Sequence, residues 1–299
     1  MSEHPVYVPD PPSPSSMKWL ERTLGPLARV TQPKVYGIEN ALETGGLYVG
    51  NHTIYGLLDV PFMGLELWRR RQITVRSLGD HGHYAIPGWR DLLERIGMVR
   101  GTRANVAELM DRNENVLVFP GGSREVNKRK GEEYQLMWKE RMGFVRMAIA
   151  HHYSIVPFAA VGAEEMLEVV VDENNPAYAG LTALLSRVTG LAIKPVSIAR
   201  GIGPTPIPRP QRLYFWFGEP IRTRRWDGLA DDKKAQRAVR DEVKTAVESG
   251  IEFLLAERQR DPGASLRTRV LGRASEELRR ARPGGGTSDL TGSSPGARA

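Results

Sequence analysis

A histidine and an aspartate seven positions apart are the residues of this sequence best suited to do chemistry. His52 follows the apolar run Leu47-Tyr48-Val49, and Asp59 comes seven positions later in a largely apolar segment. A carboxylate beside one imidazole nitrogen fixes the tautomer and stabilises the imidazolium, so the other nitrogen can take a proton from a hydroxyl. On one regular helix the two residues would lie roughly 10 Å apart. The hypothesis therefore requires a turn near Tyr55-Gly56 and a helix that begins close to Asp59.

A glycine-rich turn with basic residues is the second feature that suggests chemistry. Gly121-Gly122-Ser123-Arg124 follows the apolar run Val116-Leu117-Val118-Phe119. Consecutive glycines let backbone N–H groups approach an anion, and Ser123 and Arg124 add a hydroxyl and a two-pronged cation. Arg100 and Arg103 add positive charge earlier in the chain. Two glycines after a strand more often form a plain turn, so the block predicts a phosphate site only together with its neighbours.

The other histidines compete weakly for the same roles. His81 and His83 flank Gly82 after Asp80 and could form a base or a metal pair, but a metal site needs more ligands than these two. They are expected in a loop, and His151-His152 are expected at the end of a helix. The sequence has no cysteine and no Gly-x-Ser-x-Gly segment, which argues against thiol and serine nucleophiles.

Short apolar runs alternate with helical patterns along the chain. Such alternation predicts a single α/β domain with a largely parallel mixed sheet flanked by helices, in which ligands collect at the carboxyl ends of strands. The His52 and Gly121 segments each follow a predicted strand. The predicted strands are 47–49, 73–75, 116–119, 155–158 and 213–217, and the predicted helices are 103–112, 137–151 and 231–258.

Composition divides the 299 residues into three parts. Residues 1–15 are Pro-rich and predicted to be disordered, 16–260 form the domain, and 261–299 form a basic, Gly/Ser-rich and mostly disordered tail. The net charge is +7, and much of the excess lies in the tail. The charge favours an anionic partner. The sequence shows no pattern of a nucleic-acid-binding fold, so no nucleic acid is expected.

An amphipathic helix over residues 17–30 has two interpretations. It could cap the core of the domain, or it could lie on an anionic membrane surface with Trp19, Leu20, Leu24 and Leu27 inserted. The sequence has no secretory signal and no apolar run long enough to span a bilayer. We therefore expect a cytoplasmic protein attached peripherally to the inner face of a membrane.

Taken together, the blocks resemble the glycerolipid acyltransferase family, the lysophosphatidic acid acyltransferase-like enzymes. The family pattern is a His–Asp motif, a Gly-to-Arg block, Phe-Pro-Glu-Gly-Thr-Arg and a Val/Ile-Pro strand. This sequence has all four in that order over residues 30–225: Asn51-His52 with Asp59, then 97–103, 119–124 and 155–158. Six residues separate His52 from Asp59 where the family usually has four, and Gly121 replaces the usual glutamate. Pro-Gly-Gly-x-Arg-Glu is similar to the monoacylglycerol and diacylglycerol acyltransferase-like branch.

The resemblance implies an O-acyltransferase that moves a fatty acyl group from acyl-CoA or acyl carrier protein to a lipid alcohol. His52 would be the base and Asp59 its partner, without a metal or a bound cofactor. The expected substrate-binding residues are Asn51, Arg100, Arg103, Gly121, Gly122, Ser123 and Arg124. Two alternatives remain open: a lysophospholipid acyltransferase, and a non-catalytic lipid-binding protein on the same fold.

Overall fold

A seven-stranded sheet between two layers of helices forms the body of the protein in the computed structural model, which describes residues 5–56, 58–189 and 196–270. The strands are β1 (Lys34–Tyr36), β2 (Gly46–Gly50), β3 (Arg76–Gly79), β4 (Val99–Arg100), β5 (Val116–Val118), β6 (Ser154–Val161), β7 (Glu168–Val171), β8 (Ile198–Arg200) and β9 (Tyr214–Phe217). The α-helices are α1 (Pro14–Thr31), α2 (Val60–Arg71), α3 (Trp89–Arg95), α4 (Arg103–Asp111), α5 (Ser123–Val126), α6 (Gly143–Ala150), α7 (Pro176–Thr189) and α8 (Lys233–Arg260).

The large sheet has the order β1-β9-β6-β2-β5-β3-β4. Strands β6, β2, β5, β3 and β4 run parallel, and β9 runs antiparallel to β6 with β1 parallel to β9. The predicted largely parallel mixed sheet is therefore confirmed. All five parallel strands end at one edge, which is where an α/β fold places its ligands.

Both faces of the central strands are covered, which explains their nearly continuous apolar sequences. All five residues of β2 are buried, and so are seven of the eight residues of β6. Helices α4, α6 and α8 contribute to the core on one face, whereas α1 and α2 contribute to the core on the other. The predicted strands at 47–49, 116–119, 155–158 and 213–217 and the predicted helices at 103–112 and 231–258 match observed elements closely.

Two predicted elements are displaced. The strand predicted at 73–75 is β3, which begins at Arg76 because that buried arginine donates hydrogen bonds to Glu114 and to the carbonyl oxygens of Gly97 and Pro9. A charged residue with such distant partners gives no strand signal. The helix predicted from 137 to 151 is only α6, since the preceding segment takes an irregular path. Its boundary at Ala150, with His151 as the C-cap, matches the expected helix end.

The chain ends contact the domain where the structure describes them. Residues 5–13 are extended along the domain, and the Tyr7 amide donates to Asn105 Oδ1 over 3.0 Å. Helix α1 begins at Pro14, earlier than its predicted start, because Ser13 caps it by accepting from the Ser16 amide. Residues 261–270 also contact the domain through Arg269, which donates to the carbonyl oxygen of Val30. Residues 1–4 and 271–299, and with them most of the predicted disordered tail, lie outside the described residues.

A small lobe was not predicted at all. Strands β7 and β8 pair antiparallel outside the main sheet, and α7 lies between them in sequence. Within the residues the structure describes, no helix combines the length and the apolar run that a membrane crossing requires.

Candidate active site

The proposed base lies where two neighbouring parallel strands end. Strands β2 and β5 are paired with Val49 opposite Val118, so the residues that follow them leave the sheet at the same edge. There the imidazole of His52 stacks on the ring of Phe119, with centroids 3.9 Å apart and planes 9° apart. The His52 side chain is 16% exposed. A substrate can therefore reach part of a ring that is otherwise held by packing.

The His52 and Asp59 side chains face each other. His52 Nδ1 lies 3.6 Å from Asp59 Oδ2, slightly beyond hydrogen-bond distance, and Nδ1 is buried without another partner. Asp59 is the N-cap of α2, as predicted: its carboxylate accepts from the amides of Val60 (2.9 Å) and Thr53 (3.1 Å). Complete burial favours a higher pKa for Asp59, but His52 and the Thr53 amide outweigh it, so the pKa lies below its ordinary value. The carboxylate is thus ionised and aimed at the imidazole.

The turn between the two residues has the conformation that the six-residue spacing requires. Tyr55 and Gly56 both have positive φ, 60° and 61°, so the chain reverses there before α2 begins. The predicted turn is confirmed. Gly56 also lies against the imidazole, because a Cβ atom at this position would be 2.2 Å from His52 Cε1. Glycine at 56 therefore supplies both the backbone conformation and the space for the ring.

Asn51, a predicted substrate-binding residue, has its side chain engaged within the fold. Its side chain is fully buried, and its amide group donates to the Ala160 carbonyl (2.9 Å) and accepts from the Ala160 amide (2.8 Å). Both polar atoms are used to hold the end of β2 against β6. Asn51 therefore fixes the backbone just before His52 and offers nothing to a ligand.

The glycine-rich turn does not form the open anion cradle that the sequence suggests. The Gly122 amide donates to the Phe119 carbonyl, and Gly121 is buried beneath the side chain of Glu125. A buried carboxylate at this place disfavours an anion. Ser123 is exposed at the start of α5 and remains available.

Arg124, the predicted phosphate ligand, is engaged in the protein itself. It donates to the Asn127 carbonyl over 3.1 Å and forms an ion pair with Glu132 at 2.5 Å. This pairing was not predicted from the sequence. An unpredicted arginine lies closer to the glycine turn: Arg141 is exposed and donates to the Pro120 carbonyl over 2.8 Å.

Arg100 ends the edge strand β4 and Arg103 follows it, three strands away from β2. Strand spacing places them roughly 14 Å to the side of His52. Arg100 lies over the ring of Tyr84 and borders a cleft formed with the N-terminal segment. Arg103 is exposed at the first turn of α4. Neither arginine can contact the reacting atoms, although Arg103 could hold a distant part of a long substrate.

Glu125 is the residue of the site that the sequence did not identify. It is fully buried, and its carboxylate accepts from the backbone amides of His52 (3.1 Å) and Met137 (2.8 Å). Burial raises its pKa, and the two amides and Lys128 oppose that rise. The motif containing Glu125 was recognised, but its partner Met137 is twelve residues further along the chain in a segment predicted to be helical.

Two further features lie near these strand ends. An apolar cavity of about 160 Å³ is lined by Leu47 of β2 and Val118 of β5, together with side chains of α4 and α6, and Arg103 and Arg146 border it. Beyond the end of β6, Lys128 and Glu164 form a buried ion pair. Burial raises the pKa of Glu164 to about 7, although Lys128 opposes the shift.

Among the described residues, no three His, Asp or Glu side chains lie close enough to hold a metal ion together. His83 lies in the short turn after β3, as expected, and accepts from the Trp89 indole over 3.3 Å. His151 and His152 lie beside Asp111 and Asp227 on the surface. The weak metal prediction at His81 and His83 thus gains no third ligand.

The fold and the site together define an α/β protein with a largely parallel sheet and a histidine–aspartate pair at its carboxyl edge. Residues 32–161 match the family model described as Acyltransferase. The crystal structure of the 1-acyl-sn-glycerophosphate (LPA) acyltransferase PlsC from Thermotoga maritima has the same fold, with a TM-score of 0.51, 16% identity, and coverage of 81% of this chain and 79% of that one.

Curated relatives agree with the family match. Phytyl ester synthase 2, chloroplastic, of Arabidopsis thaliana is 33% identical over 77% of this chain and 35% of its own length. An uncharacterized protein of Mycobacterium leprae is 31% identical over 76% of this chain and 61% of its own length. A mouse DGAT1/2-independent enzyme synthesizing storage lipids is 27% identical over 42% of this chain and 37% of its own length.

Residues 32–161 therefore form a domain of the acyltransferase family, which confirms the resemblance seen in the four sequence blocks. The chain spans about a third of the length of the two phytyl ester synthases that it matches.

Proposed function

We propose that this O-acyltransferase moves a fatty acyl group from a thioester to the hydroxyl of a lipid alcohol, with His52 as the general base. The observation that carries the proposal is the His52–Asp59 pair, 3.6 Å apart, at the edge of the sheet where ligands collect. Catalytic hydrogen bonds are often long before substrate binds. The facing geometry favours the enzyme over the non-catalytic lipid-binding protein, for which the two side chains would point apart.

In the reaction, the outer nitrogen of the His52 imidazole takes the proton of the acceptor hydroxyl as its oxygen attacks the thioester carbonyl. The carbon–oxygen bond forms, the carbon–sulfur bond breaks, and the imidazolium returns the proton to the leaving thiolate. Asp59 is ionised and stabilises the imidazolium between these two transfers. The products are an ester and a free thiol, and no covalent enzyme intermediate, metal or bound cofactor takes part.

The acceptor that we propose is a neutral lipid alcohol, such as diacylglycerol or a long-chain alcohol. The names of the relatives support this class, because phytyl ester synthases are named for esters of a long-chain alcohol and the mouse relative for storage lipids. The ion pair of Arg124 with Glu132 also weighs against a phosphorylated acceptor next to His52. A lysophospholipid acceptor remains the alternative.

The donor is acyl-CoA or acyl carrier protein in this proposal. Both carry phosphate on a long arm, so their cation ligands need not lie beside the thioester. Exposed Arg103 and Arg141 and the hydroxyl of Ser123 are free to serve this role, whereas Arg124 would first have to leave Glu132. The apolar cavity beside Arg103 is suited to part of an acyl chain.

A lipid surface is the remaining partner that we propose, and its contact lies on α7 rather than on α1. Of the four side chains that the sequence suggested for insertion, Leu20 is buried in the domain and Trp19 and Leu24 are half-buried, which weighs against α1. In contrast, Leu181, Leu184 and Val188 are 53%, 57% and 75% exposed on one side of α7. We name these three side chains the α7 surface.

The test is an assay of purified protein with radiolabelled acyl-CoA and a panel of acceptors: diacylglycerol, a long-chain alcohol and lysophosphatidic acid. We expect ester formation with the neutral acceptors, and a loss of on the order of 10²-fold or more in turnover for His52→Ala with the fold intact. Near-normal turnover in a folded His52→Ala protein would refute the assignment of the base. A preference for lysophosphatidic acid would instead favour the alternative acceptor.

A further inference from the structure

Glu125 occupies a position that the reaction described above does not explain. Its carboxylate is fully buried, yet its nearest partners are two backbone amides rather than a cation. One amide belongs to His52 itself and the other to Met137, in the irregular segment before α6. A buried carboxylate is costly unless its hydrogen bonds are satisfied. The two amides satisfy the carboxylate, and in doing so Glu125 ties the backbone of His52 to the segment of Met137.

The missing side chain at position 121 is what lets Glu125 reach this place. A Cβ atom on Gly121 would lie 2.0 Å from Glu125 Cδ and 2.4 Å from Glu125 Oε1. The backbone φ of Gly121 is not in the left-handed region, so the glycine is required for space and not for conformation. Gly121 is also the position at which this sequence departs from the family pattern, which has a glutamate there. In this chain a carboxylate reaches the same turn from four residues later.

We infer that Glu125 is a positioning residue for the base: it fixes the backbone of His52 and thereby holds the imidazole against Phe119 with Nδ1 toward Asp59. The inference rests on the proposed function in taking His52 as the base, whereas the contact between Glu125 and the His52 amide is a property of the fold. Position 125 requires an acceptor with two oxygens, because two N–H groups converge on the same side chain. Hydrogen bonds from amides to a carboxylate are stronger than those to a neutral oxygen.

A glutamine at 125 would keep the size of the side chain and lose this property. Its one carbonyl oxygen can accept from one amide, and its NH₂ group would face the N–H of the other. A buried donor left without an acceptor is expensive. The protein would relieve the conflict by moving the His52 backbone or the Met137 segment. A displacement of about 1 Å at a catalytic group can cost on the order of 10²-fold in rate.

The first measurement compares Glu125→Gln with Asp172→Asn in the acyl-transfer assay. Asp172 is a matched control because its carboxylate also accepts from two backbone amides, those of Lys130 and Asn174, and it does not touch His52. We expect kcat to fall about 10- to 10²-fold in Glu125→Gln with little change in KM, and to stay near the parent value in Asp172→Asn. Equal kcat values for the two variants, at equal folded fraction, would overturn the inference.

The second measurement needs no activity, so it separates failure of the inference from failure of the proposed function. The chain has six histidines, and protein labelled with ¹⁵N-histidine alone gives one backbone amide signal for each. The His52 signal is the one missing from His52→Ala. We expect Glu125→Gln to move this signal while the other histidine signals stay in place, and Asp172→Asn to leave it unchanged. An unmoved His52 signal in folded Glu125→Gln would refute the contact.

A double-mutant cycle with Gly121→Ala distinguishes positioning from general damage. The added methyl group must displace the Glu125 side chain, so Gly121→Ala should lower kcat and move the His52 signal as Glu125→Gln does. Because both changes then break one contact, the double variant should be no worse than the more impaired single variant. Losses that multiply in the double variant would mean that the two residues act independently, contrary to the inference.

Discussion

In the His52–Asp59 pair, hydrogen bonds hold the aspartate, whereas ring packing holds the histidine. Asp59 is held by two backbone amides and is completely buried. The His52 ring lies flat on Phe119 on one side and against Gly56 on the other, with Nδ1 facing Asp59. The 3.6 Å between His52 Nδ1 and Asp59 Oδ2 shortens to a hydrogen-bond distance when the nitrogen moves by well under about 1 Å. The pair can therefore tighten as positive charge develops on the imidazole.

Replacing Asp59 by Asn separates charge from shape. We expect Asp59→Asn to retain the N-cap of α2 through its side-chain oxygen, but to lose the charge that stabilises the imidazolium. The turnover number should fall on the order of 10²-fold or more, with a modest change in the acceptor KM. Steady-state kinetics and thermal unfolding check this result together. A variant with a lower melting temperature and normal turnover would show that Asp59 serves only as a helix cap.

The same variant has a pH signature. The pKa of Asp59 is lower in the folded protein than its ordinary value of 3.8. Its ionisation therefore stabilises the fold above that pH, and this contribution is lost as the pH falls through the lowered pKa. Unfolding of Asp59→Asn should accordingly depend less on pH at the acid end than unfolding of the parent.

At the scale of single residues, the sequence could identify the facing pair of His52 and Asp59 because their signals are local. A histidine after an apolar strand, a glycine in a turn and an aspartate before a helix lie within eight residues. The roles of Asn51 and Glu125 could not be read in this way. Asn51 bonds to Ala160, 109 positions later, and Glu125 is defined by amides on two other segments. A predicted substrate ligand thus became a structural residue, and an unassigned glutamate became part of the site.

Among the elements, the turn from β2 into α2 decides whether the pair can form. The family usually has four residues between the histidine and the aspartate, and this chain has six. The longer spacing is absorbed by consecutive positive φ angles at Tyr55 and Gly56, and the Tyr55 hydroxyl anchors the turn by donating to the Ser197 carbonyl over 2.6 Å. Tyr55 and Gly56 therefore form a turn that is tied to β8 and its preceding segment.

Gly56→Ala tests this element, with Gly64→Ala in α2 as the matched control. An added methyl group at 56 meets His52 Cε1 at 2.2 Å and sits on a left-handed backbone, whereas a methyl group at 64 meets nothing within 4 Å. We expect Gly56→Ala to lose at least about 10-fold in turnover because the ring is pushed from its place. Gly64→Ala should keep its activity and gain up to about 1 kcal/mol in stability. Equal activity in both variants would show that the ring does not depend on Gly56.

Strands with continuous apolar sequences were predictable because burial on both faces leaves a clear pattern. The lobe of β7, α7 and β8 was not predictable for the opposite reason. Its strands have no clear burial pattern, since β7 has one buried residue, Val169, and β8 has none, and α7 carries apolar side chains that its own fold leaves exposed. The apolar sequence of such a helix predicts burial, whereas the structure places its apolar side chains on the surface.

Viewed as a whole, the molecule places its most exposed apolar helix next to its chemistry. The 14 residues of α7 include one charged side chain, Arg187, and no acidic one, and only Thr182 is buried among its described side chains. The lobe is tied to the turn that carries His52 by the contacts of Tyr55 with Ser197 and Ala199. An apolar surface without acidic residues, joined to a site that we propose to act on lipids, suits the interface of a membrane.

Vesicle binding tests this arrangement with one substitution on each candidate helix. Leu184 of α7 and Leu27 of α1 are exposed leucines, 57% and 39% accessible, so Leu184→Glu and Leu27→Glu introduce the same charge at comparable sites. If α7 inserts into lipid, Leu184→Glu forfeits about 1.5–3 kcal/mol of apolar burial. Co-sedimentation with liposomes should then weaken at least about 10-fold, while Leu27→Glu binds like the parent. Because apolar insertion is screened less than charge attraction, we expect this difference to persist at high salt.

Loss of binding in Leu27→Glu alone would return the membrane contact to α1, and unchanged binding in both variants would exclude both helices as the contact. Neither substitution touches His52, so turnover with acceptors dispersed in detergent should match the parent, which distinguishes a lost membrane contact from a damaged site.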